Sequence, residues 1–230
     1  GHQVSDHLQC VRVVDRERAE VLKLPTSACA LAYRDSAFKG PWRDRYVITR
    51  VTFALNRGAP TTPRHGELAS ALNALGHMPT LAEIRETVLG LRRAKGMVYS
   101  PDDPQSHSAG SFFVNPVVTE SDFATIRQGA KRAGFLGAED HLPHYPADEG
   151  HVKLAAAWLI EHAGFPKGYV HGHVGLSTHH ALAIVNRGGG KAHEIVALAS
   201  AIQRAVWRHF GVTLRPEPVF LGLAAPTLDP

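Results

Sequence analysis

Cysteine is nearly absent. Two residues, Cys10 and Cys29, in a chain of 230 exclude a disulfide framework and make a reducing, cytoplasmic setting the expectation. Long apolar runs are missing too: the longest, Leu154 to Ile160, falls well short of the ~20 residues a membrane-spanning helix needs. The first ten residues carry polar and charged groups where a signal peptide would need a continuous apolar stretch. Neither sign of charge dominates, since 25 Lys and Arg against 21 Asp and Glu leave a net charge of +4, spread along the chain. The sequence thus offers no concentrated basic run for nucleic acid, and a mildly basic soluble surface is expected. No repeat and no low-complexity segment is present. What the chain does have is 44% hydrophobic residues with glycine and proline dispersed, enough for one large domain or two small ones.

The periodicity predicts a mixed, α+β fold. Leu8 to Asp15 alternates as a strand does, and so does Tyr46 to Leu55, with Val47, Val51, Phe53 and Leu55 on one face. Tyr33 to Lys39 between them is too polar for a core element and reads as a loop. Thr80 and Glu83 form a capping box before a helix with Leu81, Ile84, Val88 and Leu91 on one stripe, stopping near Gly96. Residues 101–110 read as a polar loop. Thr119 caps a second helix running toward Gly134, and a third is predicted over Val152 to His162. Ala181 to Asn186 reads as a short strand, followed by a glycine turn at 188–190. Ile195, Leu198, Ala199, Ile202, Ala205 and Val206 mark an amphipathic helix closed by Gly211, and Val212 to Leu214 and Val219 to Leu223 read as final strands.

Several segments could carry chemistry. Fifteen histidines are many, and His171, His173, His179 and His180 are close enough in sequence to suggest zinc, but there is no HExxH and no CxxC, so no metal is expected. Gly188 to Gly190 before a helix could cradle a phosphate, although without a fuller glycine motif a plain turn fits as well. Ser111 follows Gly110 on a small-residue loop that a ligand could approach closely, without the G-x-S-x-G elbow of a hydrolase. Glu217, held between Pro216 and Pro218, is either a positioned carboxylate or an edge-strand stop, and spacing does not choose between them.

Five segments taken together go further: Tyr33 to Lys39, Ser108 to Pro116, His144-Tyr145-Pro146, Val152 to Ile160 and Leu214 to Glu217. In these residues, and in their order, the chain resembles the UDP-N-acetylenolpyruvoylglucosamine reductase family, over essentially all of its length. The resemblance implies a flavoenzyme of peptidoglycan synthesis that reduces the enolpyruvyl ether of UDP-N-acetylglucosamine to UDP-N-acetylmuramate. Its cofactor would be noncovalent FAD, with NADPH as reductant. It implies Ser111 as the proton donor to substrate C2, with Arg34 and Glu217 stabilising the enol-like intermediate. Tyr33, Lys95, Asn115, Tyr145 and Lys153 would contact substrate, the last two at the diphosphate, and Arg92 would lie near the cofactor. The Tyr145 loop resembles the family's type I branch.

His65 stands where that branch more often has tyrosine, and Val114 where lysine is frequent. The family's glycine-rich stretch for the FAD pyrophosphate would precede Gly1. Residues 1–96 are therefore expected to be the C-terminal part of an FAD-binding α+β region, 97–215 an α+β substrate-binding domain, and 216–230 a strand and tail returning toward the first. On this expectation the chain alone binds FAD weakly or not at all, and it is a monomer without nucleic-acid or membrane partners. The alternative, from a different class, is a non-enzymatic UDP-sugar-binding module derived from the same fold.

Overall fold

The computed structural model describes residues 3–32, 34–55, 57, 66–137 and 139–224. Tyr33 and His65 lie outside the described residues. The chain forms two units, residues 1–87 and 88–230, where the resemblance put a boundary after residue 96.

The first unit is built on a three-stranded antiparallel sheet in the order β2-β1-β3, with β1 Leu8–Asp15, β2 Glu20–Pro25 and β3 Tyr46–Phe53. Alternation in β1 sends Val11 and Val13 inward to meet the fully buried Cys29, a register shift between Leu8 and Cys10 lets Leu8 join them, and Leu22, Leu24, Leu31 and Phe38 pack around them. Phe38, Trp42 and Tyr46 meet edge to face with centroids 5.2 to 6.4 Å apart, the arrangement ring quadrupoles prefer. Asp15 is buried yet fully partnered. It accepts from Arg45 Nη2 at 3.0 Å and from the amides of Glu17 and Arg18. The apolar face expected of β3 is largely open: Val47, Val51, Phe53 and Leu55 are 44 to 77% exposed. Helix α1, Gly66–Asn73, follows; neither it nor β2 was predicted.

Helix α2, Leu81–Ala94, begins with the expected box, Thr80 N–H donating to Glu83 Oε2 at 2.8 Å and Glu83 N–H to Thr80 Oγ1 at 3.2 Å. It ends at Gly96, in the left-handed region at φ +64°. A Cβ there would lie 2.8 Å from the Gln105 carbonyl oxygen, so only glycine lets the next segment pass this close.

The second unit holds two antiparallel sheets. One has the order β4-β10-β9-β8, from β4 Ser108–Ser111, β8 Val170–His171, β9 Val174–Leu176 and β10 Ala183–Asn186; the other has the order β5-β7-β6, from β5 Val117–Thr119, β6 His144–Pro146 and β7 His151–Leu154. Helices α3 Glu120–Arg132, α4 Ala156–His162 and α5 Ala192–Phe210 pack with them. Along α5 the predicted stripe is the buried one: Leu198, Ala199, Ile202 and Val206 are fully covered, and burial of each large aliphatic side chain contributes about 1.5–3 kcal/mol. Gly211 closes α5 at φ +66°.

Three sequence expectations fail here, the first being the polar loop over 101–110, whose last residues from Ser108 belong to β4 because they pair with β10. Val152 to Leu154 are strand, not helix, because they pair with Val117 to Thr119 on one side and His144 to Pro146 on the other. Residues 212–214 and 219–223 form no regular strand. Prolines 216 and 218 remove two backbone donors, and the pairing that survives is a bridge between Phe113 and Pro216.

Candidate functional site

Ser111 ends β4, where it pairs with Ala183 of β10. The Phe112 amide donates to the Leu182 carbonyl at 2.7 Å, which holds the strand end in place. This register brings Ser111 Oγ to 3.3 Å from His180 Nε2. His180 is half-buried, and loss of water together with the Lys167 and Lys95 ammonium groups holds its pKa below the ordinary histidine value, against a smaller opposing pull from Glu161. Burial and the two ammonium groups both favour the neutral ring. Lys95, placed just after α2 by the Gly96 stop, thus belongs electrostatically to this cluster.

Glu217 comes to the same strand end from the other edge. Its amide donates to the Phe112 carbonyl at 2.8 Å, and the Val114 amide donates to the Arg215 carbonyl at 3.0 Å. The edge-strand and positioned-carboxylate readings of Glu217 are thus compatible: the bridge sets it opposite Phe112, one residue from Ser111.

Asn115 is tied to the protein on one side. Its Oδ1 accepts the Ala156 amide at 3.0 Å and so caps α4, whose own N-terminal residue, Ala155, has no side chain able to do so. Tyr145 and Lys153 lie directly across from each other on β6 and β7, and Val117 faces Lys153 on β5, so the three share one face of the small sheet. Tyr145 is 49% exposed. Arg92 is exposed in the last turn of α2.

Arg34, in the first unit, is exposed on a loop closed by paired backbone hydrogen bonds between Ala32 and Asp35. It adopts φ +56°, a left-handed conformation uncommon for a non-glycine residue and frequent at functional positions. Its carbonyl accepts from Lys39 Nζ at 2.8 Å.

The glycine turn is a turn. Asn186 Oδ1 accepts the amides of Gly188 and Gly190, both at 3.0 Å, and Glu194 accepts that of Lys191, so those donors are already used. Among the described residues no group of three or more His, Cys, Asp or Glu side chains could hold a metal ion. His173 instead contacts Glu194 at 3.1 Å. No described helix is long and apolar enough to cross a membrane. A pocket of about 380 Å³ between Tyr99, His107, Phe112 and Ile195 contains none of the predicted site residues. The partner that sequence reasoning missed is His180. It stood out there only as a zinc candidate, and a contact across 69 residues leaves no spacing signal.

At the level of class, this is an α+β domain carrying a neutral serine–imidazole pair within reach of lysine charges, beside a small sheet that displays a tyrosine and a lysine together. Comparison with known proteins makes the assignment specific. The family model described as UDP-N-acetylenolpyruvoylglucosamine reductase, C-terminal domain, matches residues 102–221. The chain belongs to that family. Curated relatives named UDP-N-acetylenolpyruvoylglucosamine reductase include one from Thermobifida fusca, 47% identical over 225 residues, and one from Streptomyces coelicolor, 44% identical over 227. Each alignment covers 97% of this chain but only 62% and 58% of the respective relative, so the chain spans about three fifths of their length. Among solved structures, the enzyme of the same name from Thermus caldophilus aligns with a TM-score of 0.49 and 20% identity, over 93% of this chain and 52% of that one.

Proposed function

We propose that this chain supplies the substrate-binding part, and some of the cofactor-binding part, of an FAD- and NADPH-dependent reductase acting on UDP-N-acetylglucosamine enolpyruvate to give UDP-N-acetylmuramate, in the cytoplasmic stage of peptidoglycan synthesis. The observation that carries this reading is the strand end at Ser111, where a hydroxyl, an imidazole and the Glu217 segment converge in a member of this family. For FAD the fit is partial. Arg92 suits an anionic group, whereas the turn at 188–190, its amides already taken by Asn186, does not.

When bound, the flavin supplies the hydride, delivered to substrate C3. The chain's own residues then handle charge and proton. Electron density moves toward C2 and the carboxylate, where the planar guanidinium of Arg34 suits two oxygens better than an ammonium would. Ser111 Oγ gives its proton to C2, a general-acid step worth about 10²–10⁴-fold when the donor is well placed. Glu217 is the further polar partner of the intermediate. Lys153 and Tyr145 hold the UDP diphosphate, and the second amide atom of Asn115, with Tyr33 and Lys95, contacts the substrate.

Stopped-flow measurement of the two half-reactions, in the intact FAD-binding reductase that carries these residues, tests the reading. Ser111→Ala should leave flavin reduction by NADPH nearly intact and stop product formation; equal damage to both refutes the role of the serine. The second reading, a UDP-sugar-binding module without catalysis, is favoured by the Tyr145 and Lys153 pair lying wholly within this chain. Calorimetry with the enolpyruvyl nucleotide discriminates, since a folded protein that binds none excludes it.

A further inference from the structure

We infer that His180 is the positioning residue for Ser111: its Nε2–H donates to Ser111 Oγ, which turns the serine proton away from the imidazole and toward the substrate. The inference rests on the reading of Ser111 as proton donor and goes beyond it by assigning the direction of the hydrogen bond.

The argument is one of donors and acceptors. The Leu182 amide points at His180 Nδ1 at 3.5 Å, and an amide N–H can only donate. Nδ1 must therefore present its lone pair. In a neutral ring the proton then resides on Nε2, the nitrogen facing Ser111 Oγ. The opposite tautomer would set two donors against each other. The charged ring would do the same, in a half-buried place already exposed to the fields of Lys167 and Lys95, with Glu161 the facing carboxylate and 3.9 Å from Lys167 Nζ.

The backbone holds both partners. The Ala183 amide donates to the His180 carbonyl at 3.0 Å, the Ser177 amide to that of Ala183 at 2.9 Å, and Ala183 is the register partner of Ser111. A rigid turn at the start of β10 thus carries the imidazole, and the paired strand carries the hydroxyl.

This polarity is the reverse of a nucleophilic serine, whose histidine accepts the hydroxyl proton while a carboxylate holds the other ring nitrogen. In this protein an amide occupies that second position. A serine hydroxyl that accepts from His180 has its own proton free for C2. In the step the O–H bond of Ser111 breaks and a C–H bond forms at C2. The alkoxide left behind is stabilised by Nε2–H and regains its proton from water.

Two measurements decide the matter. Long-range proton–nitrogen NMR of histidine-labelled protein should find His180 as the neutral Nε2–H tautomer at neutral pH; an Nδ1–H tautomer or an imidazolium overturns the inference, without recourse to any variant. In the intact, FAD-loaded reductase that carries these residues, His180→Leu should slow product formation by about 10²-fold, the scale for losing a donor to a developing oxyanion, with flavin reduction by NADPH unchanged. His180→Gln, which restores an N–H donor, should recover most of that loss. Unaltered product formation in His180→Leu, alongside an inactive Ser111→Ala, refutes the role of His180 alone. An active Ser111→Ala removes the underlying reading and the inference with it.

Discussion

Replacing Asn115 tests how far one side chain serves both fold and substrate. Its Oδ1 accepts the Ala156 amide at 3.0 Å, and Ala156 is fully buried. Asn115→Ala leaves that amide without a partner where water does not reach. An orphaned buried donor costs about 1–3 kcal/mol, and losing a helix cap about 0.5–2, so roughly 2 kcal/mol is expected. For a chain of this size each kcal/mol lowers Tm by about 2–4 °C, giving a fall of roughly 4–8 °C. Asn115→Asp retains the acceptor and places negative charge at a helix N-terminus, where it is favourable, so it should melt close to the parent. The same Asp has lost the amide donor proposed to reach substrate, and nucleotide affinity should drop about tenfold, equivalent to about 1.4 kcal/mol. Thermal unfolding of all three proteins without ligand, followed by calorimetric titration with the enolpyruvyl nucleotide, separates the two effects. If Asn115→Ala melts with the parent, or Asn115→Asp melts with Asn115→Ala, the capping argument is wrong.

Lys153→Ala should weaken UDP-sugar binding by roughly 10–100-fold, the range for a charge-assisted hydrogen bond, while Lys153→Arg retains most of the affinity; calorimetry checks both, and an unchanged Lys153→Ala removes Lys153 from the site. Acid stability should depend on Glu83, whose carboxyl is held down to about 2 by the Thr80 amide and hydroxyl and by His77. A depressed carboxyl stabilises the fold fully above its ordinary value near 4.5 and loses that contribution as pH falls toward 2. His77, raised chiefly by its hydrogen bond to Glu83, contributes below its ordinary 6.5 and loses that as pH rises through its raised value. Urea midpoints at pH 6 and pH 3 should therefore fall further in the parent than in Glu83→Gln, and parallel decreases would contradict the linkage.

Elements with a local cause were legible in the sequence. β1 follows from alternation, α2 and α3 from a capping threonine and an apolar stripe, and α5 from a stripe closed by Gly211. In each, the residues that decide the conformation lie within a few positions of one another. Family membership was legible as well, through short segments in a fixed order, and the model match over residues 102–221 agrees.

The rest depended on partners distant in the chain. Val152 to Leu154 could have continued the helix that follows them, and become strand only because β5 and β6 offer backbone groups on both sides. Asn115 is a cap only because Ala156, 41 residues later, arrives with an unused amide. The chemistry follows the same rule. Sequence alone determined which residue types were present and which local elements they would form, since propensity and capping act over one or two turns. That Ser111 meets His180, and that Leu182 rather than a carboxylate faces the far side of the ring, was decided by β4 pairing with β10, because strand register is set by contacts no local pattern contains.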